Sequence, residues 1–153
     1  MLWTRRDSGI DPAGGLRGLT GARVRRIAIA NPDHAPYGRA AVAALRSAEV
    51  YDAVRGKLVI GENISQAAQF AQTGGADVGI IALSLALTPA LKSVGVSIDI
   101  PDSAYPPIEQ AAVVVSSSKQ KTLARQFVDA LKKPAAVRLL ASFGFAPAGR
   151  SAP

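Results

Sequence analysis

Asp33 and His34 stand side by side in "NPDHAPYGRA", residues 31–40, and are the first residues whose types suggest chemistry. A carboxylate beside an imidazole could serve a nucleophilic serine. Such a serine would have to sit on a sharp strand-to-helix turn, and no G-x-S-x-G stretch occurs. Adjacent turn residues point apart, so Asp33 and His34 read as turn and cap formers rather than as a base with its orienting partner. The chain has one histidine and no cysteine, which removes metal clusters built from nitrogen and sulfur ligands. Neither G-x-G-x-x-G nor G-x-x-x-x-G-K-S/T occurs, so a Gly-rich phosphate loop is not expected. No catalytic residue and no cofactor are expected, and the chain does not read as an enzyme.

What does recur is a junction. "IAIA-NPDHAPYG-RAAVAAL" and "LVI-GEN-ISQAAQF" each run from a strand through a tight polar turn into a helix. In a parallel sheet such junctions lie together at the carboxyl edge of the strands, and the helix N-termini open on one crevice. Backbone N–H groups at those N-termini carry partial positive charge and form an anion site. Pro36 lacks an N–H and shapes the entry, while Tyr37, Gly38 and Arg39 keep theirs. At the second junction Ile64 and Ser65 supply amides, with Asn63 placed to cap. The ligand this predicts is a small oxyanion. The same pattern also fits two ordinary connections without a ligand.

The elements that must position these turns alternate along the chain. "RRIAIA" (25–30), "KLVI" (57–60), "DVGIIA" (77–82), "VSIDI" (96–100) and "EQAAVVVS" (109–116) read as strands, rich in Val and Ile. Helices are predicted over 38–48 and 64–73, with a short turn of helix at "YDAVRG" ending at Gly56. The βαβαβ order over 25–82 predicts a parallel sheet with right-handed crossovers, and the fold class is α/β. From residue 117 two consecutive helices follow. Ser117 or Ser118 is placed to cap the first, Pro134 to start the second and Gly144 to end it.

A chain of 153 residues is one domain of ordinary size, and 48% hydrophobic against 19% charged residues predicts a packed core. No segment approaches the roughly 18 uninterrupted apolar residues of a membrane span. The first twenty residues lack the apolar stretch of an export signal. The net charge of +7 is local: Arg5, Arg6, Arg17, Arg23, Arg25 and Arg26 face only Asp7 and Asp11 in the first 26 residues. Aromatic residues are few and do not interleave with these arginines, so nucleic acid is not expected as a partner.

The runs "RIAIANPDHAPYGRAA", "KLVIGENISQAAQF", "ADVGIIALS" and "YPPIEQAAVVV", with "LWTRRDSGIDP" before them and "LLASFGF" after, carry a family resemblance. In order and spacing the chain resembles the periplasmic molybdate-binding proteins of ABC importers, within the type II periplasmic binding protein family. Proteins of that kind are two-lobed and close around molybdate or tungstate. The resemblance implies a type II lobe with a parallel or mixed sheet flanked by helices, plus C-terminal helices belonging to an incomplete first lobe. It divides the chain into a hinge-proximal remnant of the first lobe (1–22) and a second lobe with the oxyanion half-site (23–106). A hinge strand and first-lobe helices (107–146) and a tail (147–153) follow.

The same resemblance implies that the backbone amides of Tyr37 and Ile64 contact the oxyanion, supported by Pro36, Gly38, Asn63 and Ser65. Metal enters only as molybdate held at Tyr37 and Ile64. Some members place a tyrosine hydroxyl where this chain has Ala82, so that contact is lost. Implied partners are the oxyanion, an ABC permease in the membrane, and either a missing first lobe or a second copy of the chain. The implied location is periplasmic or otherwise extracytoplasmic, although the chain as written carries no signal. Alternatives are a receptor for sulfate or another oxyanion, or the ligand-sensing domain of a transcription regulator.

Overall fold

The strands of this protein are short, three or four residues each, and gain their stability from neighbours and from helices packed on both faces. The computed structural model describes residues 1–146. The chain divides into two compact units, Met1–Ile108 and a second that begins at Glu109.

The first unit holds five strands: β1 (Leu2–Arg5), β2 (Ile27–Ala30), β3 (Leu58–Gly61), β4 (Val78–Ile80) and β5 (Gly95–Ile98). They form one sheet in the order β3-β2-β4-β1-β5. β2 pairs in parallel with β3 and β4, as the βαβαβ reading requires. β1 is antiparallel to both of its neighbours, so the sheet is mixed. Leu2–Arg5 is an inner strand of this sheet, and residues 1–22 fall in the same compact unit as the strands that follow. Leu2 pairs with both Ile80 and Ile98, and those far partners are what a local reading of "LWTR" lacks.

Helices α1 (Gly15–Gly18), α2 (Pro36–Ser47), α3 (Tyr51–Val54), α4 (Ile64–Thr73), α5 (Leu83–Ala86) and α6 (Pro89–Val94) connect the strands. Side chains alternate across the sheet with the strand period of two. Leu2, Ile27, Ile29, Val78 and Ile80 point to the face covered by α2, where Leu45, Val50 and Val54 close the larger core. Trp3 and Ala28 point to the other face, under α4. That second layer is thin because Ala67, Ala68 and Ala71 of α4 are small, and a Cβ at Gly79 would stand only 2.9 Å from the Ala71 methyl.

α2 ends in a Schellman motif. The Val50 amide donates to Leu45 O at 3.0 Å and the Glu49 amide to Arg46 O at 2.9 Å, with Glu49 at φ 59 in the left-handed region. The N-terminal arginines, whose charge raised the question of an anionic partner, mostly bond backbone carbonyls. Arg5 and Arg26 reach Ala71 O and Gly74 O at the C-terminal end of α4, and Arg23 reaches Gly9 O. Lys57 Nζ donates to three carbonyls, Leu19 O, Thr20 O and Gly21 O, at 3.0 to 3.2 Å.

The second unit contains helices α7 (Lys121–Leu131) and α8 (Pro134–Ser142), which pack on each other. Pro134 starts α8 and Gly144 ends it at φ 80. Neither Ser117 nor Ser118 caps α7: its N-cap is Gln120, and Ser118 Oγ accepts from the Gln120 amide instead. The strand expected at 109–116 is absent, because an extended valine run becomes a strand only when a neighbour takes its backbone bonds. Val113 is 84% exposed, and Leu123 and Phe127 on α7 are 63% and 65% exposed. The tail expected at 147–153 lies outside the described residues. Among the described residues no helix is long and apolar enough to cross a membrane.

Candidate functional site

β2 and β3 are adjacent and parallel, with Ala30 opposite Gly61 at their carboxyl ends. Both junctions singled out above therefore leave the sheet side by side. The Asn31 amide donates to Gly61 O at 2.7 Å, which extends the ladder one residue into the turns.

In the first turn the Asn31 side chain accepts from the Asp33 amide at 2.9 Å, and Asn31 O accepts from the Ala35 amide. The chain is thereby folded back so that Pro36 is the first residue of α2, where its missing N–H costs nothing. The Gly38 and Arg39 amides both donate to Ala35 O, at 3.0 and 3.1 Å. This corrects the expectation that these two remain available to a ligand. Tyr37, between them and Pro36, is the second residue of α2, on its first turn. Gly38 has a second duty: a Cβ there would collide with Ala30 O, so glycine is what lets α2 start tight against β2.

In the second turn Asn63 is the N-cap of α4, and its side chain accepts from the Gln66 amide at 3.0 Å. Gln66 Oε1 in turn accepts from the Glu62 amide at 2.6 Å, so the cap is tied in both directions. Ile64 and Ser65 are the first two helical residues, and their amides have no acceptor within the helix. Gly61 brings α4 close, as a Cβ there would lie 2.8 Å from the Ala67 nitrogen.

Neither helix has an acidic residue in its first turn. A helix N-terminus carries roughly half a positive charge, and the usual intrahelical neutraliser is missing from both. The nearest carboxylates in sequence, Asp33 and Glu62, lie exposed in the turns themselves. His34 Nε2 stands 3.0 Å from Glu62 O and 3.7 Å from the Glu62 carboxylate, which joins the two turns. This bridge escaped the sequence reading, which looked for a partner of His34 at Asp33. The reciprocal cap was visible in principle, since Asn63-x-x-Gln66 has capping-box spacing.

Ala82 is buried at the start of α5 and offers no polar side chain. Tyr105 stands after a short 3₁₀ turn (Asp102–Ala104) that packs against α2. Its hydroxyl donates to Asp102 Oδ1 at 3.0 Å. Burial, then this bond and the charges of Asp102 and Asp99, push its phenol up to about 12. A cavity of about 270 Å³, lined by Trp3, Arg6, Leu87, Lys92 and Ser97 among others, includes no residue of either turn.

A mixed sheet whose parallel strands deliver two helix N-termini to one edge makes this an α/β lobe. The chain belongs to the bacterial extracellular solute-binding protein family, which it matches over residues 1–146. It is 35% identical over 145 residues to the molybdate-binding protein ModA of Azotobacter vinelandii, covering 95% of this chain and 57% of that protein. Against the molybdate-binding protein ModA of Rhodobacter capsulatus the identity is 34%, covering 95% of this chain and 55% of that one. The solved Azotobacter vinelandii periplasmic molybdate-binding protein superposes with a TM-score of 0.82 at 31% identity, over 95% of this chain and 63% of the other. The chain thus spans little more than half the length of the curated relatives it matches.

Proposed function

We propose that this chain supplies one half of an oxyanion receptor, the substrate-binding component of an ABC importer for molybdate or tungstate working outside the cytoplasm. The observation that carries this reading is the pair of helix N-termini at the ends of adjacent parallel strands, neither with an acid in its first turn. The Tyr37 and Ile64 amides donate to the oxyanion. Pro36 and Gly38 set the start of α2, and Asn63 and Ser65 the start of α4. The relatives named above are molybdate-binding proteins, which supports the choice of anion. The role is capture and release, with no bond made or broken.

A charge-assisted hydrogen bond contributes about 1.5 to 3 kcal/mol, so two amides contribute about 3 to 6 before any ordering cost. That corresponds to millimolar binding or weaker for the chain alone. Tight capture needs donors facing these two from a first lobe, to whose surface the exposed apolar residues of α7 and α8 belong in this reading. Calorimetric titration with molybdate tests it. Weak binding that tightens when a first lobe is supplied in trans is expected, and micromolar affinity of the chain alone would overturn the half-site argument. Amide donors read charge and size, so competition among molybdate, tungstate and sulfate on the two-lobed assembly decides the anion.

A further inference from the structure

We infer that His34 is a positioning residue that clips the two anion-facing turns together through its Nε2–H. The partner atom is Glu62 O, a carbonyl oxygen with no proton to give, so the 3.0 Å contact requires the proton to be on Nε2. The neutral ring is therefore the Nε2–H tautomer. Glu62 is held on both sides of its residue: Gln66 Oε1 takes its N–H at 2.6 Å and His34 takes its C=O. That carbonyl lies two residues before Ile64, while His34 lies three before Tyr37. One side chain of the first turn thus sets the peptide plane that leads into the Asn63 cap and the Ile64 amide. The other tie between the turns, Asn31 N–H to Gly61 O at 2.7 Å, sits at the strand ends. Without His34 the second turn could pivot about that point, and the spacing of the Tyr37 and Ile64 amides would no longer be fixed. The consequence for ligand binding rests on the oxyanion reading, whereas the clip itself does not.

The chain has a single histidine, so ring ¹⁵N chemical shifts report His34 without assignment. The Nε2–H pattern is expected, and an Nδ1–H tautomer would overturn the proposal. His34→Phe keeps a ring but removes the donor, and His34→Gln returns an N–H at similar reach. The side chain is 56% exposed, which makes both changes compatible with folding. Backbone amide shifts at Asn63 and Ile64 should move in His34→Phe and return in His34→Gln; unmoved shifts in His34→Phe would overturn the clip. With molybdate as probe, His34→Phe should bind about 3- to 10-fold more weakly, the loss of one such bond, and His34→Gln should recover most of it. Equal affinities of wild type and His34→Phe count against the positioning role. Failure of the wild type to bind molybdate even with a first lobe supplied in trans counts against the oxyanion reading, while the tautomer and amide shifts decide the clip.

Discussion

Gly38 on α2 abuts the carbonyl of Ala30 at the end of β2, with no space between them for a Cβ. Helix and strand meet here at the point where the proposed donor Tyr37 is presented. Gly38→Ala must push the start of α2 off the sheet or distort the turn, and overpacking of this kind costs about 1 to 3 kcal/mol. Urea unfolding should show that loss, and molybdate binding by the variant should weaken with it. An alanine variant as stable as the wild type would mean that α2 shifts at no cost.

Glu49 presents the opposite opportunity. It fills the left-handed position of the α2 Schellman motif, where the equivalent position after α8 carries Gly144. A residue with a Cβ in this region is strained by about 1 kcal/mol, less the entropy that glycine adds to the unfolded chain. Glu49→Gly is therefore expected to stabilise the protein by roughly 0.5 kcal/mol, read as a higher denaturation midpoint at unchanged slope.

Lys57 gathers three carbonyls of residues 19 to 21 onto one ammonium. Methionine keeps most of the stem and removes the donors. Because the site is partly open to water, Lys57→Met should cost about 1 kcal/mol rather than the full value of buried charged bonds. Faster hydrogen exchange confined to residues 19–24 would locate the effect.

The phenol of Tyr105 gives a pH dependence with a definite sign. The folded state holds its proton up to about pH 12 and the unfolded chain releases it near 10. Its contribution to stability is whole below pH 10 and disappears as pH rises from 10 to 12. The stability of the wild type should fall more steeply across that window than the stability of Tyr105→Phe. Parallel curves for the two would remove Tyr105 from the alkaline transition.

The sequence was most legible where both ends of an element carry their own signal. α4 spans residues 64–73 as read, because Asn63 caps one end and Gly74 takes the left-handed turn at the other. The parallel neighbours of β2 followed from alternation alone. β1 was not legible, since Leu2–Arg5 is four residues long with Thr4 and Arg5 polar, and it acquires strand character only from β4 and β5. The valines of 109–116 err the other way: propensity was present and a partner was not. At the site, the residue types of the turns announced helix starts. The commitment of the Gly38 and Arg39 amides to Ala35, and of His34 to Glu62, depends on how each turn closes in space.

The place of β1 between β4 and β5 also orders the assembly of the lobe. During synthesis Leu2 emerges long before Ile80 and Ile98, so one inner strand stays unpaired until nearly the whole lobe has left the ribosome. The parallel core of β2, β3 and β4 can gather earlier, from residues closer in sequence. Closing the sheet around β1 carries the largest loop-closure cost, which makes that step the natural bottleneck of folding. Until it is taken, Trp3 and the apolar edge of β4 are exposed to whatever holds nascent chains in solution.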